Sequence, residues 1–118
     1  MNPKIGITKE SLSKVTHALN GFLADEFLLY LKTRNAHWNI EGLDFHTMHK
    51  FFEEQYELID ASIDEIAERV RALGSKTRAT LKEFINSSQI QEDIGSFPNA
   101  DTMLSNLLSD HANYNKDT

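Results

Sequence analysis

Cysteine is absent from this chain of 118 residues, which removes disulfide scaffolds, thiolate metal sites and cysteine nucleophiles together. Proline is nearly absent. Only Pro3 and Pro98 occur, so residues 4 to 97 carry no strong helix breaker. No apolar run approaches the roughly 20 residues that a bilayer crossing needs. The N-terminal MNPKIGITKE has neither a hydrophobic signal core nor a small-residue cleavage site. With nothing to exploit an oxidising compartment, the expectation is a cytoplasmic protein without a membrane partner. Positive charge is also short. Twelve Lys and Arg face eighteen Asp and Glu, and the resulting net charge of −6 disfavours strong DNA binding. Walker, HExxH and dinucleotide glycine motifs are missing, as are a serine nucleophile elbow and any Glu-x-x-His pair.

What remains is helical periodicity in a length that suits one domain. From Thr8, a suitable N-cap, Leu12, Val15, Leu19, Phe22, Leu23, Phe27, Tyr30 and Leu31 recur at three- and four-residue steps and predict a helix ending near Ala36. After a turn over Asn39 to Gly42, Asp44 is placed to cap a second helix. Phe45, Met48, Phe52, Tyr56, Ile59, Ile63, Ile66, Val70 and Leu73 keep that spacing until Gly74. Between Ser75 and Phe97 the pattern supports only a short helical piece at Leu81 to Ile85. Asn99 or Asp101 then caps a final segment with Met103, Leu104, Leu107 and Leu108. Nothing alternates as a strand would. The expected fold is all-α, an antiparallel hairpin of two long helices with a shorter third.

Charge concentrates on the second helix: residues 43 to 74 hold eight acidic and three basic side chains, a net −5. Beside its apolar stripe run His49, Glu53, Asp64 and Glu68, within an arc of about 100° and paired at i, i+4, so each pair is aimed at one ion. The two pairs cannot share an ion within one helix, because Glu53 and Asp64 stand ~16 Å apart along the axis. Two copies crossing antiparallel solve this. His49 and Glu68 are symmetric about the same point, between Leu58 and Ile59, as Glu53 and Asp64, so a two-fold dimer through the second helix builds two identical mixed sites. His37, ending the first helix, is brought by the turn to the same end as His49. Two imidazoles and three carboxylates suit iron, manganese or zinc. The same acidic spacing also describes a solvated helix face, and Glu57 with Asp60 obeys the same symmetry without any histidine. Trp38 reads first as an aromatic anchor of the turn, and His46 as a surface residue.

These residues carry a resemblance. The stretch ADEFLLYLKTRNAHWNIEGLDFHTMHKFFEEQYELIDASIDEIAERVRALG resembles the first two helices of the Dps family of ferritin-like proteins, and LLSDHA resembles the start of their third. The specific part is HWN-x-x-G, then H-x-x-x-E, then D-x-x-x-E-R. The resemblance implies a ferritin-like antiparallel bundle of which three of four helices are present, a single domain over 1–118 that is incomplete at its C-terminal end. It implies a ferroxidase centre between subunits, with His37, His49 and Glu53 from one subunit and Asp64 and Glu68 from its two-fold mate. Glu53 stands where the family more often has Asp, which keeps the charge and lengthens the arm. The implied activity is oxidation of Fe(II) to Fe(III) with hydrogen peroxide or oxygen, iron storage in a homo-oligomer and protection against oxidative damage. Trp38, beside the site, is a candidate to take up an oxidising equivalent. The lysine-rich tail by which some members bind DNA has no counterpart, since only Lys4 and Lys9 precede Ser11. The alternative is a non-catalytic helical interaction module or a DNA-compacting shell protein.

Overall fold

The computed structural model describes residues 8–92, 94–95 and 100–116, with side chains described for 102–110 in the last segment. They form four helices: α1 Lys9–Asn39, α2 Phe45–Ala72, α3 Leu81–Ser87 and α4 Ala100–Lys116. Thr8 caps α1, its hydroxyl oxygen accepting from the Ser11 amide. The helix runs one turn further than the sequence pattern predicts. Ala36, His37 and Ile40 are all buried, and the Ile40 amide closes the end on the Ala36 carbonyl. Burial of that last turn therefore overrides the loss of apolar rhythm.

Gly42, at φ 114°, makes the turn. Asp44 does occupy the N-cap of α2, but its side chain makes no capping hydrogen bond. The chain enters instead on backbone bonds, Phe45 amide to Gly42 carbonyl and Met48 amide to Asp44 carbonyl. At the other end, Gly74 sits at φ 89°. Its amide reaches the Arg71 carbonyl and the Ser75 amide reaches the Val70 carbonyl, the paired bonds of a Schellman stop.

The short helix expected near Leu81 is α3. Thr80 starts it, with its hydroxyl oxygen accepting from the Glu83 amide. Asp25 of α1 then holds the chain that leaves α3, its Oδ1 accepting from the Ser88 hydroxyl at 2.7 Å and the Gln89 amide at 2.8 Å. For α4, Asp101 lies inside the helix rather than at its cap, and Asn99 falls outside the described residues.

α1 is the common wall on which α2, α3 and α4 all pack. One apolar cluster joins Leu29, Ala36 and Ile40 of the α1 side to Phe52 and Ile59 of α2 and Met103 and Leu107 of α4. A second joins Leu23, Ala24 and Leu28 to Phe84 of α3 and to Ile90. Ile63 touches both. Lys32 ties α4 and the preceding connection to α1, with its ammonium 2.5 Å from Asp110 and 2.7 Å from the Gln91 carbonyl. Among the described residues no helix is long and apolar enough to cross a membrane.

Candidate metal centre

The hairpin brings the last turn of α1 against the second turn of α2, and the two imidazoles there interlock. The His37 and His49 rings stack with centroids 3.7 Å apart and planes 20° from parallel. His37 Nδ1 lies 2.7 Å from the His49 carbonyl, and His49 Nδ1 lies 2.7 Å from the His37 carbonyl. A carbonyl only accepts, so both Nδ1 atoms must carry the hydrogen in the neutral rings. That leaves the Nε2 lone pair bare on each ring, the tautomer a metal ligand needs. The sequence supports the arrangement locally. His37 owns one of the last four carbonyls of α1, which lack an intrahelical partner, and His49 supplies the missing donor. Phe45 stacks on His49 with ring centroids 5.0 Å apart and packs against the core cluster.

Glu53 is one turn beyond His49 in α2, with 34% of its side chain exposed and Lys50 at 3.9 Å. The carboxylate thus stands one helical turn from His49 and is partly exposed. Asp64 and Glu68 are exposed on the following turns of the same helix. From His49 to Asp64 the axial rise is ~22 Å. Among the described residues no group of three or more His, Asp or Glu side chains gathers at one point. Within a single chain the two imidazoles with one carboxylate near the turn therefore stand apart from the two carboxylates farther along α2. The donors of the first group, two bare nitrogen lone pairs and a carboxylate, fit a divalent cation of the iron, manganese or zinc type.

Trp38, read from the sequence as an aromatic anchor of the turn, is 59% exposed. Tyr56 packs edge-on to His37 at 5.3 Å. Arg34 joins these aromatics. Its guanidinium carbon lies 4.2 Å from the centre of the Tyr56 ring, 5.3 Å from Tyr30 and 5.4 Å from Trp38, and its Nε donates to the Tyr30 hydroxyl at 2.7 Å. That hydrogen bond, with the charge of Asp60 among the smaller contributions, raises the guanidinium's pKa above its ordinary value. Tyr30 and Tyr56 entered the sequence pattern only as core positions. The signal for more was the i, i+4, i+8 run of Tyr30, Arg34 and Trp38 on one face of α1.

A family model for the ferritin-like domain matches residues 16–118. A DNA protection during starvation protein of Helicobacter pylori is 32% identical over 104 residues, covering 88% of this chain and 72% of that one. A low temperature-induced protein of Nostoc is 40% identical over 107 residues. This chain spans only 60% of that relative's length. Among solved structures, the Dps protein of Vibrio cholerae O1, described as a member of a broad superfamily of ferritin-like diiron-carboxylate proteins, superimposes with a TM-score of 0.88 at 30% identity, over 96% of this chain and 70% of that one.

Proposed function

Because the chain belongs to the Dps family of ferritin-like proteins, we propose that it is an iron-binding ferroxidase subunit that oxidises Fe(II) to Fe(III), with hydrogen peroxide as the preferred oxidant, and helps store the product. The observation that carries this is the interlocked imidazole pair. Its two hydrogen bonds spend the Nδ1 atoms on the hairpin and reserve both Nε2 atoms for a cation.

Each centre takes His37, His49 and Glu53 from one subunit and Asp64 and Glu68 from a two-fold partner crossing α2 antiparallel. The exposure of Leu58 supports this. It flanks the symmetry point and is 68% solvent-accessible in the single chain, an apolar side chain that a second α2 would cover. Fe(II) is the substrate. Carboxylate oxygens, hard and negatively charged, favour the ferric product over the ferrous reactant, and the imidazoles fix where the ion sits. The concentration of negative charge on α2 draws cations to the same surface. DNA is not the expected partner of a chain with net charge −6, and the cytoplasm is the expected compartment.

The experiment is an anaerobic Fe(II) titration of the purified chain followed by peroxide, with absorbance reporting Fe(III) and with Glu68→Ala as control. Rapid oxidation in the parent and its loss by at least tenfold in Glu68→Ala is the expected result. Equal slow oxidation in both would favour a non-catalytic interaction module instead.

A further inference from the structure

The two ends of the helical hairpin carry opposite charge. Residues 8–21, at the start of α1, and 65–87, from the end of α2 through α3, hold seven Lys and Arg against four Asp and Glu. The remainder of the chain holds five against fourteen. The antiparallel path gathers those two segments at one end, where the Arg78 amide donates to Asn20 Oδ1 at 3.0 Å. Between them opens a cavity of about 610 Å³, whose walls include His17 and Asn20 of α1, Arg78 of the connection, and Glu83 and Asn86 of α3. His17 is ~30 Å along α1 from His37, so this cavity is no part of the metal centre.

Its donors are little used within the chain. The bond to Asn20 fixes the backbone at position 78, while the Arg78 guanidinium lies 3.8 Å from the Glu83 carboxylate, too far for a hydrogen bond. Glu83 in turn accepts from the Thr80 hydroxyl at 2.9 Å. The planar fork of an arginine matches the oxygens of a phosphate, and hydrogen bonds to charged oxygens are about twice as strong as neutral ones. His17 and Asn86 bring further N–H groups to the same space. The volume falls within the roughly 300–1,000 Å³ of small-molecule sites, and the surplus positive charge around it raises the local concentration of anions.

We propose that this cavity binds a phosphate-type oxyanion, free or carried on a small polar molecule, with Arg78 as its charge partner and Asn86 as a neutral donor. Glu83 opposes the anion and limits its affinity. The site is independent of the ferroxidase reading, since it shares no residue with the metal centre.

The test is isothermal titration of the chain with sodium phosphate, and separately with adenosine monophosphate and adenosine, at an ionic strength held constant with sodium chloride. Saturable binding of one phosphate group per chain is expected, and none of adenosine. Arg78, Asn86 and Arg69 are all exposed, so their variants keep the fold. Affinity should fall at least tenfold in Arg78→Gln and several-fold in Asn86→Ala. It should rise several-fold in Glu83→Gln, which keeps the hydrogen bond to Thr80. Arg69→Gln, which removes the same charge from the same end but outside the cavity, should change it less than twofold. Equal affinities for phosphate and adenosine monophosphate identify the free anion as the occupant, and a tenfold preference for the nucleotide identifies a phosphate carried on a larger molecule. Equal weakening in Arg78→Gln and Arg69→Gln, adenosine binding as well as its monophosphate, or no saturation by either phosphate overturns the proposal.

Discussion

Phe52 has no exposed surface, and it sits where α1, α2 and α4 converge. Truncation to Ala removes most of a ring from a packed cluster, and the expected cost is about 3–5 kcal/mol, of the order of a small domain's whole stability. Denaturant unfolding of Phe52→Ala against the parent measures it, and a loss under about 1 kcal/mol would mean that this cluster is loosely packed. Single residues were also where the sequence was most and least informative. His37 and His49 could be paired because only a glycine-bearing turn separates two periodic segments, so their meeting needed no knowledge of helix register. Tyr56 against His37 could not be read, because a contact nineteen positions apart across a hairpin depends on how α1 and α2 rotate against each other. The exposure of Trp38 has a similar reason. Adjacency to His37 in a helix turns a side chain by about 100°, away from its neighbour's direction.

Among the elements, α2 was the most legible, since its three/four rhythm runs unbroken to a glycine that the chain needs at positive φ. α4 was the least, and the reason lies in what holds it. Among its described residues, alongside the apolar Met103 and Leu107, Asp110 pairs with Lys32 of α1, with 11% and 13% of their side chains exposed. Periodicity does not report such a bond. Lys32→Met should cost about 3 kcal/mol, because it leaves the Asp110 carboxylate buried without its cation. Lys32→Met with Asp110→Leu should recover most of that loss, since an apolar pair of similar volume replaces both charges. Thermal unfolding of the two variants decides it, and hydrogen exchange should place the loosening in α4.

At the scale of the molecule, the proposed centre draws its two halves from two subunits, and that requirement can be measured. His49→Ala and Asp64→Ala should each abolish rapid Fe(II) oxidation alone. When the two are unfolded and reassembled together in equal amounts, half the dimers are mixed and each mixed dimer keeps one intact centre, so about a quarter of the parent's activity should return. No recovery in subunits shown by mass spectrometry to have exchanged would exclude a shared centre.

The proposed division of each centre between two copies of the chain sets how a cell would feel a faulty allele. A subunit damaged in one half spoils only the centre to which it lends that half, so activity falls in proportion to the dose of the altered gene. A subunit damaged in both halves, His49→Ala with Asp64→Ala in one chain, spoils every centre it enters. At equal expression with the intact copy, the first leaves about half the centres working and the second about a quarter. The shape of the dosage curve, straight in one case and bowed in the other, thus reports from living cells whether two copies build one site.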